Sequence, residues 1–271
     1  MNMNTNKTVS STRRTGCHCA LRVFKLVTNN LNRLLLTGGL LLALLFAPSC
    51  QTSNSAGAGQ AMFPPVRTKE QQAAMTPQQA LAELEAGNAR FVAGRPRVRN
   101  LPAEVRATAS GQYPFAVILS CIDSRQSAEV VFDQGIGDVF SARVAGNVLN
   151  NDILGSMEFA CRISGAKLIA VIGHSNCGAI KGAIDDVQLG HLTGLLKKIK
   201  PAIDAVPADV QPRTSKNPEF VDRVAEANVH LVMRQIRERS PILRQMIDEG
   251  KIELVGGMYD VSTGNVRFFP N

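Results

Sequence analysis

The sequence predicts an α/β domain built on a mostly parallel β-sheet that is flanked by helices. Short apolar runs of strand length alternate with longer segments of helical periodicity. These runs are apolar at consecutive positions, which is typical of strands that are buried on both faces. The predicted strands cover 115–120, 138–144, 167–173 and 251–258, and the predicted helices between them cover 153–164, 178–186, 191–202, 219–238 and 241–249.

A helical arm is predicted in front of the first strand. Thr76 is a suitable N-cap, Pro77 suits the first helical position, and Gln79 can close a capping box. Apolar side chains then recur at helical spacing as far as Phe91. We therefore place the folded domain at 76–271.

The first fifty residues are typical of an export signal. Positions 1–49 contain six basic and no acidic residues, and the run 34–46 is almost wholly apolar. Thirteen helical residues span only about 20 Å, less than the roughly 30 Å of a bilayer core, which favours a secretory signal over a membrane span. An uncleaved N-terminal anchor is the alternative interpretation.

Small residues directly precede Cys50, in the order Ala47-Pro48-Ser49. This segment resembles the lipobox of bacterial lipoproteins, in which the cysteine is lipidated. The resemblance implies a signal peptide over 1–50, a lipid anchor on Cys50 and a periplasmic or cell-envelope location. The segment 51–75, rich in Ser, Gly, Ala and Gln at its start, is predicted to be a flexible linker.

The charge distribution does not indicate a nucleic-acid-binding protein. The chain has 30 basic and 22 acidic residues, a formal net charge of +8. Without the six basic residues of the signal, the chain has 24 basic and 22 acidic residues. A nearly neutral domain lacks the excess of positive charge that phosphate binding requires, so no nucleic-acid partner is expected.

Chemically reactive side chains follow two of the predicted strands. Cys121, Asp123 and Arg125 come directly after the first strand, and His174 and Cys177 come directly after the third. In an open α/β sheet, functional groups collect beyond the carboxyl ends of parallel strands. Sulfur, imidazole and carboxylate ligands together suit zinc. The alternative is that the cysteines are small core residues without a metal.

The charges of these side chains are consistent with zinc. Two thiolates, from Cys121 and Cys177, balance Zn²⁺, and a neutral His174 leaves one coordination position for water or for Asp123. Zinc lowers the pKa of bound water from 15.7 to about 7. Arg125 is placed to pair with Asp123 and hold its carboxylate off the metal.

The two motifs, Cys121-x-Asp123-Ser124-Arg125 and His174-x-x-Cys177-Gly178, resemble those of the β-class carbonic anhydrases. The segments Phe132-Asp133-Gln134-Gly135 and Arg143-Val144-Ala145-Gly146-Asn147 agree with the same family. The resemblance implies a β-carbonic-anhydrase-like fold, a Zn²⁺ cofactor and reversible hydration of CO₂ to bicarbonate by attack of zinc-bound hydroxide.

The resemblance also implies roles for individual residues. Cys121, His174 and Cys177 would be the constant zinc ligands. Asp123 would be the fourth ligand in a closed form of the site, or the partner of Arg125 in the open, active form.

Further positions match substrate-binding residues of the family. Gln112 would reach the substrate across a subunit interface, so a homodimer or homotetramer is expected. Phe140, Ala145 and Phe159 would line the CO₂ pocket, with Phe159 at a position where many members carry Tyr. The backbone N–H of Gly178 would meet bicarbonate.

Two other functions remain open from the sequence. The same site could hydrolyse carbonyl sulfide or carbon disulfide, as relatives of this fold do. Alternatively, the chain could be a non-catalytic lipoprotein that binds zinc or bicarbonate, with its site kept closed by Asp123. The remaining Cys161 is predicted to be a buried small residue.

Overall fold

A five-stranded sheet forms the centre of the computed structural model, which describes residues 63–269. The strands are ordered β2-β1-β3-β4-β5. The β1–β2, β1–β3 and β3–β4 pairs are parallel, and β4–β5 is antiparallel. The strand bounds are β1 Ala116–Ser120, β2 Val139–Arg143, β3 Leu168–His174, β4 Glu253–Tyr259 and β5 Val266–Phe268.

Helices surround this sheet. Their bounds are α1 Lys69–Ala74, α2 Pro77–Val92, α3 Leu101–Thr108, α4 Ala128–Val131, α5 Asn151–Glu158, α6 Gly178–Ile184, α7 Gly190–Leu196, α8 Lys200–Ala205, α9 Pro218–Arg239 and α10 Pro241–Asp248. Short turns of 3₁₀-helix occupy Ala145–Asn147 and Lys197–Ile199, and a π-helical turn extends α5 over Phe159–Ile163. Across 63–269, no helix is both long enough and apolar enough to cross a bilayer.

The two faces of the sheet bury separate apolar clusters. Successive side chains of a strand point to opposite faces. Val117 and Leu119 of β1 therefore pack towards α9 and α10, whereas Ala116 and Ile118 pack towards α2 and the segment after α4. The core strands β1 and β3 are buried along their whole length. The predicted parallel sheet with both faces covered is confirmed.

The strand order places two strand ends side by side. The chain passes from β1 to β2 on one side of β1, and then returns to β3 on the other side. Ser120, the last residue of β1, pairs with Ile172 of β3. The segments that follow β1 and end β3 therefore meet at the carboxyl edge of the sheet, at the point where the strand order reverses.

The predicted start of the helical arm is confirmed. The Thr76 side chain accepts a hydrogen bond from the Gln79 backbone at 3.2 Å, and the Gln79 side chain accepts one from the Thr76 backbone at 2.9 Å. This is the reciprocal capping box that the sequence predicted.

The prediction of a flexible linker over 51–75 is wrong at its carboxyl end. α1 occupies Lys69–Ala74, with its own capping box between Thr68 and Gln71. Gln72 ties it to the domain, because its Nε2 donates to the carbonyl oxygens of Pro114 and Ser164 at 2.6 and 2.8 Å. The predicted signal peptide, Cys50 and the rest of the linker as far as residue 62 lie outside the described residues.

One predicted helix is divided in two. The segment predicted as a continuous helix over 191–202 contains α7, a 3₁₀ turn and α8. Pro201 lies in the first turn of α8. Proline has no N–H group to donate to the preceding turn and its ring crowds that turn, so a helix begins at this residue more easily than it continues through it.

Candidate metal centre

Three side chains converge at the carboxyl edge of the sheet. Cys121 directly follows β1, His174 is the last residue of β3, and Cys177 is the N-cap of α6. Their sulfur and nitrogen atoms all lie within 4.8 Å of one another. Each residue is at most 4% exposed. The predicted meeting of the two motifs is confirmed, and the set can hold a metal ion.

The imidazole of His174 is oriented as a metal ligand. Its Nδ1 lies 2.9 Å from the carbonyl oxygen of Ser175, so Nδ1 carries the proton and donates it. The lone pair is then on Nε2, which is buried and has no hydrogen-bond partner among residues 63–269. A buried polar atom without a partner is costly, and a metal ion at the cluster would satisfy it.

The two sulfur atoms influence each other's ionisation. The neighbouring Cys177 thiol lowers the pKa of Cys121 below that of an ordinary thiol, and the Gly146 N–H donates to the Cys121 sulfur at 3.3 Å. The same contact and burial raise the pKa of Cys177 above its ordinary value. Two thiols that interact this strongly titrate as a pair. A divalent cation at the cluster would favour the thiolate form of both.

Asp123 is held by Arg125 and not by the ligand cluster. The Arg125 Nε donates to Oδ1 at 2.9 Å and Nη2 donates to Oδ2 at 2.7 Å, while the Arg125 backbone N–H adds a third bond to Oδ1 at 3.0 Å. The guanidinium holds the pKa of Asp123 well below its usual range. Oδ2 lies 3.9 Å from His174 Nε2, so the carboxylate borders the cluster without joining it.

Comparisons with known proteins agree with this site. The carbonic anhydrase family profile matches residues 116–266, which include both motifs. Carbonic anhydrase 2 of Mycobacterium tuberculosis is 36% identical over 189 residues, covering 69% of this chain and 90% of that protein. The carbonic anhydrase of Mycolicibacterium smegmatis is 35% identical over 193 residues, covering 70% and 92%.

A solved structure extends the likeness to the fold. The crystal structure of the β-carbonic anhydrase CafA of Aspergillus fumigatus matches with a TM-score of 0.57 and 26% identity, covering 71% of this chain and 89% of that one. The chain belongs to the β-class carbonic anhydrase family.

Arg143 supports the first motif of this β-class carbonic anhydrase. Its Nε donates to the carbonyl oxygen of Cys121 at 3.0 Å, and its Nη2 donates to that of Asp123 at 2.6 Å. Arg143 ends β2, and β2 is the neighbour of β1. The sequence placed Arg143 in a family segment but gave no sign of these contacts, because they depend on the register of two strands.

The second motif is held by α9 and by the turn after β4. The backbone N–H of Asn176 donates to Asp222 Oδ1 at 3.1 Å, and the backbone N–H of Val261 donates to Ser175 Oγ at 3.1 Å. Asn176 has a φ of 55°, so this loop adopts a backbone conformation that few residues favour. These anchors lie 46 and 86 residues from the loop. Nothing in the sequence links such distant positions.

Two of the predicted pocket residues line one cavity. Phe140 and Phe159 border a cavity of about 790 Å³, together with Ile153 and Arg143. Their ring centroids lie 6.3 Å apart in an edge-to-face arrangement. Phe159 is 53% exposed at the mouth of this cavity. Arg143, which holds the first motif through the carbonyl oxygens of Cys121 and Asp123, also lines this cavity.

Gln112, Ala145 and Gly178 do not line this cavity. Ala145 begins the 3₁₀ turn after β2, and Gly178 is the exposed first residue of α6, directly after Cys177.

Gln112 lies far from the ligand cluster of its own chain. It comes before β1, beside Gly137, which comes before β2. It is therefore at the amino edge of the sheet, whereas the ligands are at the carboxyl edge. The five residues of β1 alone span roughly 13 Å. Gln112 can reach a ligand cluster only if that cluster belongs to another subunit.

Proposed function

We propose that this β-class carbonic anhydrase hydrates CO₂ reversibly to bicarbonate and a proton, with zinc as its metal. One observation carries this proposal most directly. A buried set of two sulfurs and one imidazole lies beside a carboxylate that Arg125 keeps off the set. Three protein ligands with an open fourth position are the arrangement of a catalytic zinc site, whereas a structural site has four.

Zinc fits these residues. Cys121 and Cys177 supply the soft thiolates that zinc prefers over magnesium or calcium, and together they balance its charge. His174 offers Nε2, fixed in the correct tautomer by the Ser175 carbonyl. When bound, zinc would lower the pKa of a coordinated water molecule to about 7 and so supply a nucleophile at neutral pH.

Asp123 would orient the reacting water molecule. Its Oδ1 already accepts two hydrogen bonds from Arg125, whereas Oδ2 accepts only one. Oδ2 also faces His174, so it is the atom with a free lone pair on the side of the ligand cluster. Because Arg125 keeps this carboxylate ionised, Asp123 acts as an acceptor that directs the O–H bond, and the proton passes to buffer.

The cavity beside Arg143 suits an apolar gas. Phe140, Ile153 and Phe159 provide apolar walls, and CO₂ carries no charge to compensate. Burial of CO₂ against these aromatic rings would hold it beside Arg143, which contacts the first motif, without strong ground-state binding, and this favours turnover.

A second copy of the chain would complete the site. Gln112 cannot reach its own ligand cluster, so in a dimer it would contribute to the cluster of the partner subunit. An apolar face on α3 and the segment before it supports this assembly, because Val98, Leu101 and Val105 are each at least 50% exposed. Exposed apolar patches of this kind mark interaction surfaces. We propose a homodimer as the minimal active unit; sedimentation velocity would show a monomer if the proposal is wrong.

The N-terminal segment supports export and lipid anchoring. The proposal depends on the basic region, the apolar run and Cys50 in the sequence. Mass spectrometry of protein purified from membranes should find Cys50 as the acylated first residue. A mature N-terminus elsewhere, or an unmodified Cys50, would exclude lipidation.

Stopped-flow CO₂ hydration tests the proposed function. The metal-loaded protein should accelerate hydration well above the buffer rate near pH 8. Cys177→Ala should lose both zinc and activity, because it removes a ligand. Cys161→Ala is the matched control, since it also truncates a buried cysteine but outside the cluster. A wild-type rate at the buffer background would reject the proposal.

The two other functions considered from the sequence receive less support. The relatives named above are carbonic anhydrases, which favours CO₂ over carbonyl sulfide and carbon disulfide. A site kept closed would require Asp123 among the ligands, but its carboxylate is bound to Arg125. Assay of sulfide release alongside hydration would separate the two substrates.

A further inference from the structure

Two consecutive hydrogen bonds join α9 to the sulfur of Cys121. The Nδ2 of Asn228 donates to the carbonyl oxygen of Gly146 at 2.9 Å, and the N–H of Gly146 donates to Cys121 Sγ at 3.3 Å. We propose that Asn228 is a positioning residue for the metal ligand Cys121, acting through the backbone of Gly146. This inference rests on the proposed zinc site.

Gly146 has to be a glycine for this connection to form. Its φ is 65° and its ψ is 21°, in the left-handed region of backbone conformation that residues other than glycine rarely adopt. A Cβ at this position would lie 2.9 Å from Ile199 Cδ1 and 3.2 Å from Ala179 Cβ. The turn can therefore pack closely against its neighbours and aim its N–H at the sulfur.

Asn228 is suited to hold that turn. It is 1% exposed and lies on α9 among the buried residues Ala225, Val229 and Val232, so its position is fixed by packing. The N–H and C=O of Gly146 belong to the two peptide groups on either side of one Cα. Fixing the carbonyl therefore limits the direction in which the N–H can point. Only a side-chain donor can do this, which selects Asn over the isosteric Asp.

Loss of the Asn228 side chain is expected to weaken metal binding as well as to lower the stability of the fold. An N–H bond to a thiolate stabilises its negative charge and fixes the direction of its lone pairs. Loss of a residue that orients a metal ligand typically costs about 10- to 100-fold in metal affinity or activity. Asn228→Leu should therefore weaken zinc binding by about that factor and shift the sulfur-to-metal charge-transfer band of the cobalt-substituted protein.

Asn88 provides the matched control. It is also a buried asparagine on a helix, donating to the carbonyl oxygens of Val131 and Gly264 at 3.1 and 2.9 Å and accepting from Val266 N–H at 2.8 Å. It touches none of the metal ligands. Asn88→Leu should lower stability but leave zinc affinity, measured by competition with a chromophoric chelator, unchanged.

A measurement on the wild type covers the case in which Asn228→Leu fails to fold. In the ¹¹³Cd-substituted protein, a proton–cadmium correlation should connect the Gly146 amide to the metal through Cys121. The Hβ protons of Cys121 and Cys177 lie three bonds from any cadmium ion that their sulfurs hold, so they serve as positive controls. Correlations from the controls without one from Gly146 would overturn the inference.

The outcomes separate this inference from the proposed function. If the wild type binds no zinc, both fail. If the wild type binds zinc and hydrates CO₂, but Asn228→Leu and Asn88→Leu bind zinc with the same affinity, the positioning role of Asn228 is wrong and the function stands. If only Asn228→Leu loses affinity and shifts the cobalt band, the inference is supported.

Discussion

Asp123 and Arg125 form a two-pronged ion pair, with Oδ1–Nε and Oδ2–Nη2 distances of 2.9 and 2.7 Å, at the edge of the metal-ligand cluster. A carboxylate held in this way has a fixed orientation and a fixed charge. The same group, if released, could approach the metal, because its Oδ2 is 3.9 Å from His174 Nε2. In the proposed zinc site, this pair would therefore decide whether the fourth coordination position stays open.

Asp123→Asn should separate catalysis from metal binding. The amide keeps the shape of the carboxylate but places an NH₂ donor or a neutral oxygen where a charged acceptor is needed. We expect zinc content to be unchanged and kcat/KM for CO₂ hydration to fall by about 10²- to 10⁴-fold, the range for a lost proton-handling group. Asp138→Asn, which changes an aspartate near Arg99 at the opposite edge of the sheet, is the control. Loss of zinc from Asp123→Asn would instead make Asp123 a ligand.

Arg125→Ala should allow the site to close. Without the guanidinium, nothing in the pair holds Asp123 away from the cluster, and its carboxylate is free to occupy the fourth position. Hydration at pH 7.5 should fall by at least tenfold, and zinc-edge X-ray absorption should show an additional carboxylate oxygen. Arg125→Lys keeps the positive charge but loses the paired N–H groups of the guanidinium. Its hydration activity should therefore lie between those of the wild type and Arg125→Ala. Activity of Arg125→Ala within threefold of wild type would contradict this role.

The pH behaviour of Asp123 follows from its ion pair. Arg125 holds the folded-state pKa of Asp123 below the ordinary value of about 3.9. The stabilisation from the pair is therefore complete above about pH 5 and is lost only as the pH falls through the lowered pKa. The carboxyl ¹³C resonance of Asp123 should not titrate between pH 8 and 5. In Arg125→Ala it should titrate at higher pH than in the wild type; an unchanged titration would show that the pair has no effect.

The buried cysteines should differ in reactivity. Burial raises the pKa of the Cys161 thiol to about 12, so it stays protonated and unreactive at pH 8. Cys121 has a lowered pKa and should be alkylated by iodoacetamide once the metal is removed. Peptide mass spectrometry should find Cys121 protected with zinc and modified after chelation, with Cys161 unmodified in both. Modification of Cys161 in the native protein would contradict its burial.

The sequence predicted those parts of the fold that depend on local pattern. The four apolar runs correspond to β1 to β4, because a short run of consecutive apolar residues is typical of a strand that is buried on both faces. The convergence of Cys121 with His174 followed from a general property of parallel sheets. β5 was not predicted, since its three residues, Val266–Phe268, are too few to show a period.

Other features depend on contacts between distant residues and could not be predicted. α1 is held by Gln72 through carbonyl groups 42 and 92 residues away, and its polar sequence is also typical of a linker. Asn228 contacts Gly146 across 82 residues. Such a contact exists only after α9 has packed against the sheet. The sequence thus predicted that Cys121, His174 and Cys177 would come together, as they do, but not which residues orient them.

X-ray absorption at the zinc edge of the purified wild-type protein tests the central claim most directly, namely that Cys121, Cys177 and His174 hold a zinc ion. The account predicts one zinc per chain, with two sulfur ligands at about 2.3 Å and one imidazole nitrogen at about 2.0–2.1 Å. A protein without zinc, or a zinc ion without sulfur ligands, would contradict it.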